Sequence, residues 1–353
     1  MLGSDGLAGM RPKRMKQLLW QVPFLLFLIV GTIFIVRQQR SMPYQTDRGF
    51  VFGTVYTVTY QNDENLKSEI EAVLLTVDAE FSMFNEQSTV SRINCNERPR
   101  LSTMFQAVYQ QAVSVNKETH GAFDITVAPL VNAWGFGFKN QQMPTPSQVD
   151  SLRKMIGMEH LTLDSDKNEL IKDDDRMMLD FSAIAKGYGA DCVARLLRQK
   201  KVSNFMVEIG GEVVTQGISP KRLPWRIGVT KPAEDSLQTT QELQTVLNVT
   251  DMAMATSGNY RNFYYKGGKK YAHTIDPKSG YSVQHNILSA TVLAKNCAVA
   301  DAYATSFMVM GLEGAQEVLE RHPELLAYLI YDGADGQFAV WYSPSLKDKI
   351  NED

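Results

Sequence analysis

Residues 18–36, LLWQVPFLLFLIVGTIFIV, run for 19 positions without a charge, and no other stretch restricts the possible folds as much. A helix of that length at about 1.5 Å per residue spans roughly 28 Å, the thickness of a bilayer core. Apolar side chains would surround it, whereas a core helix of a globular protein keeps a polar stripe. The expectation is an N-terminal transmembrane helix. Val36, Arg37, Gln38 and Gln39 lack the small residues of a signal-peptide cleavage site, so the helix reads as a retained anchor. Arg11, Lys13, Arg14 and Lys16 precede it and Arg37 and Arg40 follow. That bias puts the N-terminus in the cytoplasm and the body outside. The expected location is the inner (cytoplasmic) membrane, single-pass, with the body facing the periplasm or exterior.

The chain then divides into a basic N-terminus (1–17), the anchor (18–36), a tether (37–49) and one domain over 50–345. With 44% hydrophobic residues the body is folded, not disordered. The net charge of −3 conceals a basic N-terminus and an acidic body, so nucleic acid, which requires a basic footprint, is not an expected partner. Cys95, Cys192 and Cys297 are too few and too scattered for a disulfide framework or a zinc site. A 3.6-residue period predicts helices over 66–81, 103–115, 147–156, 184–199, 296–309 and 312–321. Alternation and β-branched runs predict strands over 51–60, 161–171, 176–181, 204–209, 213–217, 225–229, 246–255, 262–265, 286–294, 325–331 and 337–342, with a hairpin loop at 231–243. Helices interspersed with antiparallel-looking strands indicate an α+β fold, a single large mixed domain with antiparallel sheets and packed helices.

No Walker loop, Rossmann fingerprint, HExxH or GxSxG stands in the chain. Five other segments are dense in chemistry. In 179–197, Asp180, Lys186, Gly187 and Asp191 surround a strand-to-helix junction that suits an anion, or that is an ordinary helix start with Ser182 as N-cap. Glu208 and Glu212 flank the Gly210-Gly211 turn, which reads as a structural hairpin. His273 and Asp276 stand just before a Lys278-Ser279-Gly280 turn, His273 either structural or functional. In 296–311, Asp301 interrupts an alanine-rich helix, where a carboxylate is costly unless paired or bound to a cation. Thr305 is four residues on, on the same face, so the two oxygens suit Mg2+, or else Asp301 bonds to a neighbouring loop. In 121–137, Asp124 stands in an apolar strand, and Trp134 and Phe136 could stack on a flat ring; the 82–94 loop adds Phe84, Ser88, Ser91 and Arg92.

Taken together and in this order, the segments resemble the FAD:protein FMN transferase (ApbE) family. The resemblance is carried by FGT (52–54), STVSRIN (88–94), GAFDITVAPLVNAWGF (121–136), DFSAIAKGY (180–188), EIGGE (208–212), TSGNY (256–260), HTIDPKSG (273–280) and ADAYAT (300–305). It implies a Mg2+-dependent enzyme that cleaves FAD, attaches FMN by a phosphoester to a Thr or Ser of a target protein, and releases AMP. By position it implies metal ligation by the Ala183 carbonyl, Asp301 and Thr305. It implies a flavin pocket of Phe52, Phe84, Ala122, Phe123, Asp124, Asp180, Lys186, His273 and Ile275. His273 is then the expected base and catalytic residue, with Asp276 as the alternative, and Asp301 acts through the metal. The implied acceptors are subunits of ion-pumping NADH:quinone reductase or Rnf-type complexes. Alternatives are an FAD pyrophosphatase and a flavin-binding assembly protein. The chain departs from the family in having an apolar helix where a lipidated cysteine is frequent, and Phe52 where methionine is usual.

Overall fold

The computed structural model describes residues 12–137, 143–232, 242–259, 263–266, 269–333 and 337–351, the side chains of 12–20, 38–41 and 269–270 excepted. Residues 1–45 with 61–65 form one unit, and 46–60 with 66–353 the other.

The first unit holds α1 (Pro12–Ser41), with Pro23 inside it. Its described side chains begin at Gln21. Pro23 removes a helical hydrogen bond. Among the described residues no helix is long and apolar enough to cross a membrane. This overturns the expected transmembrane helix, and with it the single-pass inner-membrane location with an outward-facing body. Residues 1–11, most of the expected basic N-terminus, lie outside the described residues. The expected tether ends early, because its last residues enter a strand.

That strand is β1 (Tyr44–Val51), the edge of an eight-stranded sheet. It is followed by β2 (Thr54–Gln61), β3 (Phe205–Ile209), β4 (Glu212–Gln216), β5 (Ala253–Gly258), β6 (Ile287–Ala294), β7 (Leu326–Asp332) and β8 (Phe338–Tyr342), and spatial order equals chain order. Every pair from β2 to β8 is antiparallel. The α+β reading with antiparallel strands therefore stands. Alternation does the work in β2, where Tyr56, Val58 and Tyr60 are buried on one face. They share a core with Ile70 and Leu74 of α2 (Lys67–Phe81). A second core gathers Phe81, Phe105 of α3 (Thr103–Glu118) and Phe181. Between the two lies α4 (Ser182–Gln199), with Ile184 and Tyr188 in one core and Val193 and Leu197 in the other.

Against α4 packs α5 (Cys297–Arg321), whose Ala298, Ala300, Ala302 and Ala304 are fully buried. The contact is backbone to backbone: a Cβ added at Gly187 would lie 2.4 Å from the Cys297 carbonyl oxygen. The two helices expected over 296–309 and 312–321 stand as two stretches of α5 separated by a kink at Gly311, whose non-helical backbone has a φ of 77° that favours glycine. The strand expected over 246–255 is divided by a turn at Asp251 with φ 55°. The stretch around Asp124 and residues 176–181, expected as strands, form turns and irregular chain: Asp124 bonds to Thr126, while the Leu179 and Asp180 N–H groups go to Asn94 Oδ1 and the Ile125 carbonyl. Of the expected 231–243 loop, residues 233–241 lie outside the described residues.

Candidate functional site

A cavity of about 570 Å³ opens within the second unit, a size suited to a cofactor-like ligand. It is lined from the β1–β2 turn, the loop after α2, the 122–137 segment, the start of α4, the β3–β4 turn, the end of β5, residues 273–275 with Pro277, and one face of α5. All twelve residues that the family resemblance implies for the metal and the flavin line it: Phe52, Phe84, Ala122, Phe123, Asp124, Asp180, Ala183, Lys186, His273, Ile275, Asp301 and Thr305.

The α5 wall is Asp301, Thr305 and Val309, spaced by four so that they share one face. Asp301 is buried, and its Oδ2 accepts from the Gly187 N–H at 3.1 Å. Gly187 stands four residues after Ala183, the position whose N–H pairs with the Ala183 carbonyl in a regular helix. Thr305 Oγ1 lies 3.0 Å from Ser257 Oγ.

Lys186, half-buried, donates to Glu212 Oε1 at 3.0 Å and lies 3.8 Å from Asp301 Oδ2. Burial pushes the Asp301 carboxyl up from its ordinary value, opposed by the Lys186 charge. Burial likewise pushes Glu212 up to about 7, with Lys186 opposing and Asp301 reinforcing the shift. Burial alone would lower the Lys186 ammonium, but the Asp301 and Glu212 carboxylates outweigh it and hold it above its usual value. Two carboxylates thus face one ammonium, and Glu212 Oε2 has no hydrogen-bond partner among the described residues. An oxygen-only donor set with surplus negative charge fits a hard cation such as Mg2+.

On the flavin-pocket side, Phe52 occupies a hairpin turn with φ 51°, a left-handed value that costs a bulky residue energy. Its ring lies against Gly189, where an added Cβ would come within 2.7 Å. Phe84 is 78% exposed at the rim. Phe123 is buried, its carbonyl accepting from Asn116 Nδ2 at 2.7 Å. Asp124 Oδ1 accepts from Thr126 N–H and Oγ1–H at 2.7 and 2.6 Å, and burial pushes its carboxyl up to about 6. Asp180 Oδ1 accepts from the Ser182 N–H at 2.7 Å. Ser182 is the first helical residue rather than the N-cap, which is Phe181 without a side-chain cap, and the Asp180 bond closes an Asx-type turn just before the helix.

His273 and Ile275 follow the hairpin Phe263–Lys266 and Lys269–Ala272. Phe136 meets the His273 ring edge-on at 6.4 Å and continues a stack through Tyr264 and Tyr271 to Trp134. Phe136 lines the cavity, but Trp134 is buried behind it, donating from Nε1 to the Gly280 carbonyl at 2.8 Å. Asp276 is absent from the wall; its carboxylate accepts from the Lys278 and Ser279 N–H groups and fixes the turn. Ser88 caps the short helix Thr89–Asn94, and Arg92 pairs with Glu97, so that loop contributes only Ser82, Met83 and Phe84. Asp191 also stands away from the wall and caps α5. Tyr260 of TSGNY lies outside the described residues. The residue that sequence reasoning missed is Glu212, read as a hairpin acid; its signal was a carboxylate opening a strand of otherwise buried residues.

The ApbE family model matches residues 52–330. A FAD:protein FMN transferase of Haemophilus influenzae is 40% identical over 321 residues, which are 86% of this chain and 90% of that protein. The solved flavin transferase ApbE from Vibrio cholerae has a TM-score of 0.76 at 36% identity, covering 87% of this chain and all of that one. Pseudomonas stutzeri flavinyl transferase ApbE in its apo form has a TM-score of 0.77 at 29% identity, covering 87% and 97%.

Proposed function

The chain belongs to the ApbE family and is a FAD:protein FMN transferase, and on that premise we propose that it works with Mg2+ and joins FMN to a Thr or Ser hydroxyl of a redox protein, releasing AMP. The Ala183 carbonyl, Asp301 and Thr305 would hold the ion. When bound, Mg2+ neutralises pyrophosphate charge and stabilises the leaving phosphate.

The protein's own groups supply position and proton transfer. Lys186 adds a fixed positive charge beside the phosphates. Phe52, Phe84, Ala122, Phe123 and Ile275 give the isoalloxazine an apolar seat, and Asp124 and Asp180 accept its polar hydrogens. His273 takes the proton of the acceptor hydroxyl. The hydroxyl oxygen then bonds to the FMN phosphorus, the bond from that phosphorus to the bridging oxygen breaks, and AMP departs with the electron pair. The acceptors proposed are subunits of ion-pumping NADH:quinone reductase or Rnf-type complexes, a reading carried by the family resemblance.

One observation carries the proposal: Ala183, Asp301, Thr305, Lys186 and His273 all line a single cavity. The test incubates the full chain with FAD, Mg2+ and a candidate acceptor domain, and reads the acceptor's intact mass. A gain of one FMN phosphoester, lost with EDTA, supports it. Release of AMP and free FMN without a mass change, across several acceptors, would mean that water takes the place of the hydroxyl and the protein is a pyrophosphatase.

A further inference from the structure

Glu212 lies outside the ligand set and the flavin pocket described above, yet it is the nearer of the two carboxylates that hold Lys186. Its Oε1 is 3.0 Å from the Lys186 ammonium, against 3.8 Å for Asp301 Oδ2. Among the described residues, the other polar contact of that ammonium is the Ser182 carbonyl at 3.5 Å. Glu212 is itself 3% exposed. It is fixed at the first position of β4, opposite Ile209 across the Gly210-Gly211 turn. A buried carboxylate is costly, and Oε2 has no partner among the described residues. A hairpin needing only a turn would not place an acid there.

We propose that Glu212 is a positioning residue for Lys186, holding its ammonium off Asp301 so that the Asp301 carboxylate is left to the cation. This rests on the assignment of Asp301 as a metal ligand. With both carboxylates present, the ammonium stays on Glu212 when Asp301 binds Mg2+. With Glu212 neutral, Asp301 is the one anion left within reach among these contacts. Lysine and metal then compete for the same oxygens.

The experiment measures Mg2+ half-saturation of FAD binding, by quenching of flavin fluorescence, together with kcat. It uses the full chain as wild type, Glu212→Gln, Lys186→Met and the double variant. In Glu212→Gln the Mg2+ half-saturation is expected to rise about tenfold and kcat to fall at least as much. FAD binding without Mg2+ should change less than about threefold. In the Lys186→Met background, adding Glu212→Gln should leave the Mg2+ half-saturation unchanged, because the competitor is gone. A rise that persists in that background would mean Glu212 acts on the cation directly, and would overturn the proposal; so would a Glu212→Gln enzyme with wild-type Mg2+ response. If Glu212→Gln does not fold, Glu212→Met, which fills similar space without charge, replaces it in the same cycle. A wild type that binds and turns over FAD without any Mg2+ dependence would instead remove the metal assignment.

Discussion

The Asp191 carboxylate accepts the N–H of Cys297 at 2.9 Å, so a side chain of α4 caps the first turn of α5. Its second oxygen takes the Ala298 N–H, also at 2.9 Å. Asp301 stands one turn further along α5, and its Oδ2 returns to the Gly187 N–H of α4. The two helices are thus stitched twice within one turn, at the place where Ala183 and Asp301 line the same cavity. Asp191→Ala should lower stability by about 2 kcal/mol, a lost cap plus two buried N–H groups left without partners. Urea unfolding would measure it, and Asp191→Asn, which keeps one acceptor oxygen, should lose less. Equal losses in the two variants would argue against capping as the cause.

Gly187→Ala tests the same seam by steric means. The new methyl would meet the Cys297 carbonyl at 2.4 Å and backbone cannot yield as a flexible side chain does. A cost of about 1–3 kcal/mol follows from overpacking, with a larger proportional fall in FAD turnover, since the helices that carry the proposed ligands are forced apart. Unfolding and turnover measured on one preparation would separate the two effects. Wild-type turnover in a destabilised variant would show that the seam does not set the site.

Asp301→Ala should abolish Mg2+-dependent AMP release, by about 1,000-fold or more if one charge-neutralising ligand of phosphoryl transfer is lost. Asp301→Asn keeps the acceptor for the Gly187 N–H but not the charge, so it should fold as the wild type does and remain inactive. AMP release by Asp301→Asn at a tenth of the wild-type rate or better would remove Asp301 from the metal site.

Much of this seam could be read from the sequence, and some could not. The period of four that sets Asp301 and Thr305 on one face is a property of the helix itself, so it was visible before any fold was known. Likewise the alternation of Tyr56, Val58 and Tyr60 announces β2 without tertiary information. The strand expected around Asp124 failed because Thr126 offers that carboxylate two local hydrogen bonds, a competition that hydrophobic alternation does not register. Asp191 gave no sign of its cap, since its partners are 106 and 107 positions away. Glu212 was read as a turn acid because burial of its head group depends on Lys186 of another element. The apolar run near the N-terminus is legible only as length and composition, and among the described residues no helix is long and apolar enough to cross a membrane.

Asp124 gives the molecule a pH signature whose sign can be worked out. Burial raises its folded-state pKa to about 6 from an ordinary 3.8, helped by the Glu159 charge and opposed by the bonds from Thr126 and Met158. Because the folded value is the higher one, the folded state binds the proton more tightly. The resulting stabilisation is fully present below about pH 4 and is lost as pH rises through 6. The difference between about 6 and 3.8 corresponds to at most about 3 kcal/mol, and less where the cavity admits water to the half-buried carboxylate. Asp124→Asn has no such titration. Its amide oxygen can still accept from Thr126, while its NH2 cannot accept from Met158, so the variant carries a constant offset that pH does not alter. The stability of wild type minus that of Asp124→Asn should therefore fall by about 1–3 kcal/mol between pH 4 and pH 8, measured by urea unfolding at each pH. Glu159→Gln should make that fall smaller, since one source of the raised pKa is removed. Parallel stability curves for wild type and Asp124→Asn over this range would mean that the carboxylate is solvated in the folded protein.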